Sequence, residues 1–304
     1  MLFLDGVGIG KRDPFVNPLI AADLPSLSSL TGNFSVDAEP EWHGPFTLNL
    51  RLDANLGVKG LPQSGTGQTA LFTGVNAAKE LGRHFGPYPH SSLRPILQEK
   101  NLFKKLRASG KRVRFANAFP QRFFDHIATR PSRITVTTLS CLMSDVPLMR
   151  AEDLREMHGI SANITNVGWH DLGYPDIPVI APQEAGRRLA RMAEEHDFVL
   201  FEYWKTDHAG HSMDMKEAIE VLTCLDNLLE GLLKAIDSER VLLVITSDHG
   251  NIEDMSVKGH TRNPVPLILH GAAHESVARE ITSNGVPDLT NVAPALLRCL
   301  TSGE

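Results

Sequence analysis

The 304-residue chain is 42% hydrophobic, enough for a large buried core, and sets 30 Lys and Arg against 36 Asp and Glu for a net charge of -6. That balance excludes a basic nucleic-acid surface, so an anionic ligand would need local positive charge from metals, arginines or helix N-termini. Cys141, Cys224 and Cys299 are too sparse for a disulfide framework, no apolar run reaches the roughly 18 residues that span a bilayer, and the N-terminus lacks a signal-peptide pattern, so a cytoplasmic protein without membrane partners is expected.

Apolar runs alternate with helical patterns along the chain. Predicted strands are Met1–Leu4, Phe46–Leu52, Arg112–Ala118, Phe198–Tyr203, Val241–Thr246 and Pro266–Leu269. Predicted helices are Ser92–Ser109, stopped by Gly110, then Gln183–Glu195 after Pro182, the long amphipathic Met215–Ile236, and Leu289–Leu300. The alternation implies an α/β fold, a mostly parallel central sheet with helices on both faces. Between Pro120 and Pro182 the rhythm breaks into polar turns, a β-like run at Arg133–Thr138 and a Gly/Pro-rich passage. Residues 120–181 are therefore expected to form a small inserted cap on a core made of 1–119 and 182–304.

Open α/β sheets bind ligands beyond the carboxyl ends of their strands, so polar residues directly after apolar runs are candidates. Asp5 opens Asp-Gly-Val-Gly after the first strand; it is a metal ligand or a turn-former. Ser64 opens Ser-Gly-Thr-Gly-Gln at the mouth of a predicted helix, where it either caps the helix or faces an anion beside the N–H groups of Gly65, Thr66 and Gly67. The Gly-Lys-Ser/Thr ending of a Walker loop is absent. Asp207 and His211, in Asp-His-Ala-Gly-His, are four apart and would share one face of a helical turn. Asp248 and His249 follow the strand ending at Thr246, with His260 eleven residues further on. Ligands of oxygen and nitrogen alone suit Zn2+ or Mn2+.

As an ordered set, Asp-Gly-Val-Gly, Ser-Gly-Thr-Gly-Gln, Asp-x-x-x-His, Asp-His-Gly-Asn and His-Thr resemble the alkaline phosphatase superfamily, in the metalloenzyme branch that holds cofactor-independent phosphoglycerate mutase and phosphopentomutase. The resemblance covers Met1 to about Phe119 and about Asp197 to Leu300. It implies an alkaline phosphatase-like fold and two divalent ions. Asp5, Asp248 and His249 would hold one ion, with Ser64 touching it, and Asp207, His211 and His260 the other. In the superfamily the nucleophile stands nine residues before a Thr-Gly pair, and Thr73-Gly74 puts that position at Ser64, with Thr66 as the rival. A sulfatase would need Pro and Arg where Thr66 and Gln68 stand. The mutase pattern often has an acidic residue at Gly65 and His at Gln68, and the insertion is short for a full mutase cap. The chain also starts hard against its first strand, which suits a few missing upstream residues.

The resemblance implies a phosphoserine on Ser64, formed from a small phosphorylated substrate. Water would resolve it in a phosphohydrolase, the favoured reading, and a substrate hydroxyl in an intramolecular phosphomutase. A third reading is a non-catalytic metal-binding protein on the same scaffold. Arg262 is a candidate for a phosphate contact, with Lys205, Arg83 and His84 weaker. Among the cap arginines Arg122, Arg130 and Arg133 the sequence makes no choice.

Overall fold

In the computed structural model the first strand, β1 (Leu2–Leu4), turns Phe3 to one face of the main sheet and Leu2 and Leu4 to the other, all of them buried. The structure describes residues 1–32, 35, 42–44, 46–283 and 285–302. The later strands are β2 (Trp42–Gly44), β3 (Thr47–Leu52), β4 (Val113–Phe115), β5 (Asn117–Ala118), β6 (Ile160–Ser161), β7 (Phe198–Tyr203), β8 (Leu242–Thr246) and β9 (Val265–Gly271). Among the described residues, the main sheet has seven strands in the order β2-β3-β9-β8-β1-β7-β4. β8, β1, β7 and β4 are parallel neighbours; β9 runs against β8, β3 against β9 and β2 against β3. All but β9 and β2 thus point the same way. The fold is α/β with helices on both faces, as the alternating pattern predicts.

Side-chain alternation fills two core layers. Phe198 and Leu200 of β7 face the layer of Phe3, Phe72 and Phe103, and Val199, Phe201 and Tyr203 face the layer of the Pro182–Glu195 and Met215–Leu233 helices. Phe3 meets Phe72 edge-on at 5.6 Å. Burying a ring of this kind stabilises the fold by roughly 1.5–3 kcal/mol. No helix among the described residues is long and apolar enough to cross a membrane.

Three predicted elements differ. Ser92–Ser109 is not one helix: a turn at Ser91–Leu93 leads into Arg94–Lys100 and then Leu102–Ala108. Asn101 makes the break, because its side chain accepts the Lys104 N–H at 2.9 Å and starts the second helix. The β-branched Arg133–Thr138 run is not a strand. Thr135 caps a helix, Val136–Leu142, by accepting from the Thr138 N–H. Arg112–Ala118 splits, its second half pairing as β5 with β6 in a separate two-stranded sheet. Within 120–181, Ile134, Val136, Leu139, Cys141 and Val146 belong to the main core. Met149, Ala151, Leu154, Trp169 and Ile177 form a small cluster of their own with Ala118.

Candidate metal centre

The three adjacent parallel strands β8, β1 and β7 end on one rim, and a polar segment follows each. Asp5 comes directly after β1, Asp248 and His249 two and three residues after β8, and Asp207 in the first turn of the Lys205–Ser212 helix that follows β7. The loop between β8 and β9 brings His260 to the same rim. Two groups result, Asp5 with Asp248 and His249, and Asp207 with His211 and His260. Within each, one ligand atom per residue lies within 4.8 Å of the others.

Ser64 joins the first group. It is the first residue of the Ser64–Thr73 helix, whose cap position is Gln63. Its hydroxyl lies 3.0 Å from His249 Nε2 instead of capping the helix. The same nitrogen is 3.3 Å from Asp5 Oδ1 and 3.7 Å from Asp248 Oδ2. Both of those carboxylate oxygens are buried without a hydrogen-bond donor. Buried acceptors left this way are costly unless a cation meets them, so the donor set fits a divalent ion.

Thr66 is also buried, but its hydroxyl donates to Gln63 O at 3.1 Å and accepts the Phe85 N–H at 3.2 Å. The Thr66 and Gly67 N–H groups are committed too, to Phe85 O and Gln63 O. The rim amides expected to face phosphate are thus engaged at these two positions. Gly67 is needed for packing instead. A Cβ there would come 2.8 Å from the Asp248 carbonyl oxygen.

In the second group, His211 Nε2 is 3.3 Å from Asp207 Oδ2, and His260 Nε2 is 3.6 Å from Asp207 Oδ1 and 3.3 Å from His211 Nε2. His260 Nδ1 sits 2.7 Å from the Pro62 carbonyl. A ring that donates there presents the lone pair of Nε2 to the cluster, the arrangement that orients metal-binding histidines. Asn251 holds Asp207 in place, its amide donating to Oδ1 at 2.7 Å and to the main-chain oxygen at 3.1 Å.

The charges respond to this crowding. Burial raises the Asp5 carboxyl, and burial together with the Asp5 charge raises Asp248 well above its ordinary value. Burial pulls His249 down, but Asp248 and Asp5 outweigh it and place its pKa at about 10. Burial and the neighbouring His249 lower His260 to about 4.

Other candidates lie further out. Lys205 and Arg122 both line a cavity that also includes Asp5. Arg262 is exposed, its Nε donating to Gly60 O. Arg83 is exposed beside the Phe85 ring, and His84 contacts the Val58 carbonyl. Of the buried acids that border the rim or the cavity, Glu253 and Glu202 do not stand out in the sequence. Glu253 accepts the N–H groups of Gly8 and Asn251 and the Thr261 hydroxyl, bracing the loops around the rim. Glu202 accepts from Thr137 Oγ1 at 2.5 Å, and burial pushes its pKa to about 8. A carboxylate inside the apolar run Phe-Val-Leu-Phe-Glu-Tyr was the available signal.

Residues 178–302 match the sequence model of the Metalloenzyme superfamily. The 2,3-bisphosphoglycerate-independent phosphoglycerate mutase of Thermomicrobium roseum is 34% identical over 118 residues, covering 36% of this chain and 22% of that protein. The mutase of the same name from Salmonella paratyphi B is 31% identical over 147 residues, 45% of this chain and 27% of the relative. The chain thus spans about a quarter of the length of these curated relatives. Among solved structures, the PH0037 protein from Pyrococcus horikoshii superposes with a TM-score of 0.59 at 15% identity, over 100% of this chain and 97% of that one. Alkaline phosphatase from the Antarctic bacterium TAB5 superposes with a TM-score of 0.53 at 13% identity, over 99% and 97%. The fold is alkaline phosphatase-like. The superfamily segment carries Asp207, His211, Asp248, His249 and His260, and Asp5 and Ser64 lie outside it.

Proposed function

We propose that this chain is a two-metal phosphohydrolase that passes the phosphoryl group of an ester to Ser64 and then to water. The observation that carries the reading is the meeting of Ser64 Oγ and His249 Nε2 at 3.0 Å beside the Asp5 and Asp248 carboxylates. Divalent ions, Zn2+ or Mn2+, held by Asp5, Asp248 and His249 and by Asp207, His211 and His260, would supply positive charge to the phosphate and lower the pKa of the hydroxyl. Ser64 stands on a fully buried helix, so its Oγ is held in place for attack. Deprotonated to solvent, Oγ bonds to phosphorus while the bond to the ester oxygen breaks, and the leaving alkoxide takes a proton from solvent. Water then attacks the phosphoserine, the P–Oγ bond breaks, and inorganic phosphate leaves. We assign Lys205 and the Gly65 N–H to the phosphate oxygens, and segments 120–131 and 147–181 to a cap over the site. Arg262, Arg83 and His84 receive no role in this reading. A cytoplasmic location accords with it.

The curated relatives favour a second reading, an intramolecular mutase in which a substrate hydroxyl takes the phosphoryl group from Ser64. Both readings require a phosphoserine. Acid quenching of the metal-loaded protein with substrate, followed by peptide mass spectrometry, should find phosphate on Ser64; phosphate on no residue would overturn both. Turnover in 18O-labelled water separates them: labelled inorganic phosphate supports hydrolysis, and an isomerised ester without label supports the mutase.

A further inference from the structure

A cavity of about 700 Å3 opens beside the metal centre, with Asp5 and Glu202 in its wall. Only two contacts separate it from Ser64, since Asp5 lies 3.3 Å from His249 Nε2 and that nitrogen 3.0 Å from Ser64 Oγ. The cavity is much larger than a phosphate and is the size of pockets that take drug-sized ligands, ~300–1,000 Å3.

The greater part of its exposed lining is apolar, with Asn117, Thr135, Thr138 and Asn163 among the polar residues that border it. Phe119, Phe123, Trp169, Leu172 and Trp204 form the walls. Phe119 and Phe123 stack at 4.1 Å with planes 17° apart, so each covers one face of the other and the pair forms a rigid aromatic block in the wall. Lys205 and Arg122 add the cations, Lys205 half-buried and Arg122 exposed.

A second observation concerns the helix that carries Phe123. Gln121–Thr129 includes Phe123, Phe124 and Ile127, yet none of its residues is buried. An amphipathic helix ordinarily hides its apolar stripe against a core. Here that stripe is incompletely covered by protein, and Phe123 and His126 from it line the cavity. Trp204, directly after β7, is 41% exposed. A three-carbon phosphate ester would fill a small part of this space and leave the aromatic walls wet.

We propose that the substrate is a phosphate ester of a large apolar alcohol of aryl bulk, whose organic group occupies this cavity between Phe123, Trp169 and Trp204 while its phosphate lies at Ser64. This rests on the phosphoryl-transfer reading above. Lys205, which lines the same cavity with its Nζ 5.6 Å from the Trp204 ring centroid, supplies a cation for the phosphate end of such a ligand.

The test uses the metal-loaded full chain and two esters whose alcohols have similar acidity, 2-(1-naphthyl)ethyl phosphate and ethyl phosphate. The naphthyl ester should have at least about tenfold higher kcat/KM, the scale on which apolar pockets discriminate. Phe123→Ala should bring the naphthyl-to-ethyl ratio of kcat/KM to within about threefold of unity, as expected for a contact made to the organic group. Val167→Trp, at an exposed position on the same cavity, should do likewise by filling the space. Equal kcat/KM for the two esters, or variants that lower both alike, would overturn the proposal. Equilibrium dialysis of 2-(1-naphthyl)ethanol separates the two readings. If neither ester turns over but the alcohol binds and Phe123→Ala abolishes binding, the cavity assignment stands and the phosphoryl-transfer reading fails. If the esters turn over and the alcohol does not bind, the cavity assignment fails alone.

Discussion

The imidazole of His249 lies almost flat against that of His260, with centroids 3.7 Å apart and planes 15° from parallel. One ring belongs to each ligand group, so the two groups share a wall. His211 lies further off, 5.2 Å from the His260 ring. His211→Ala and His260→Ala are both expected to reduce two bound divalent ions to one, measured by elemental analysis after dialysis. They differ in the ion that stays. Removing His260 unpacks His249, so that ion should dissociate about tenfold faster than in His211→Ala, on the scale of lost supporting contacts. Equal dissociation rates would show that the stacking is inert.

Ser64 and Thr66 are two residues apart on one helix and meet different partners. Ser64→Ala is expected to lower kcat at least about 10³-fold, as loss of a nucleophile does. Thr66→Val should leave kcat within about threefold. It instead removes the partner of the buried Phe85 N–H, at a cost of about 1–3 kcal/mol in urea unfolding. The opposite pattern would make Thr66 the nucleophile.

Gly6 has φ of +71°, and a Cβ there would come 2.6 Å from Asp207 Oδ1. Gly6→Ala would strain the backbone and push Asp207 out of its group, leaving at most one tightly bound ion per chain. Asn251→Ala removes the donor to Asp207 Oδ1 without strain, and should weaken that ion by about 10–100-fold. Competition with a fluorescent chelator measures both; unchanged affinity in Asn251→Ala would mean that Asp207 needs no support.

Glu202 provides a pH test. Its folded pKa, raised by burial from 4.5 to about 8, means that the folded state holds a proton that the unfolded chain loses first. The contribution of this group to stability is therefore full below about pH 4.5 and is lost as pH rises to about 8. The change is on the order of a few kcal/mol. Urea unfolding of metal-free protein between pH 5 and 8 should show a steeper decline for wild type than for Glu202→Gln. Parallel curves would place the Glu202 proton elsewhere.

The sequence reveals polar residues that end apolar runs, and for that reason Asp5, Asp207 and Asp248 stand out in it. Strand direction is less visible: Pro266–Leu269 reads as a strand, but nothing local says that β9 runs against β8. Nor does hydropathy expose Glu202, because a run of apolar neighbours conceals the one residue that does not fit. Asn101 and Thr135 mislead for a related reason. Each is a cap whose side chain satisfies a main-chain donor, and periodicity does not register single hydrogen bonds. Spacing from Thr73-Gly74 already favours Ser64 over Thr66 in the sequence; what the sequence does not show is that the two hydroxyls, in one short motif, meet different partners.

The Ser64–Thr73 helix is buried along its whole length, and Gly67 seats it directly on the main chain at Asp248. The proposed nucleophile is therefore welded to the core, whereas the aromatic walls at Phe123 and Trp204 belong to partly exposed surfaces. Substitutions at those walls can drift without disturbing Ser64. On the proposed reading, a lineage built this way can trade one alcohol for another at little risk to its fold, and a directed-evolution library confined to Arg122, Phe123, His126 and Val167, all at least partly exposed, would sample new substrates while nearly every member still folds.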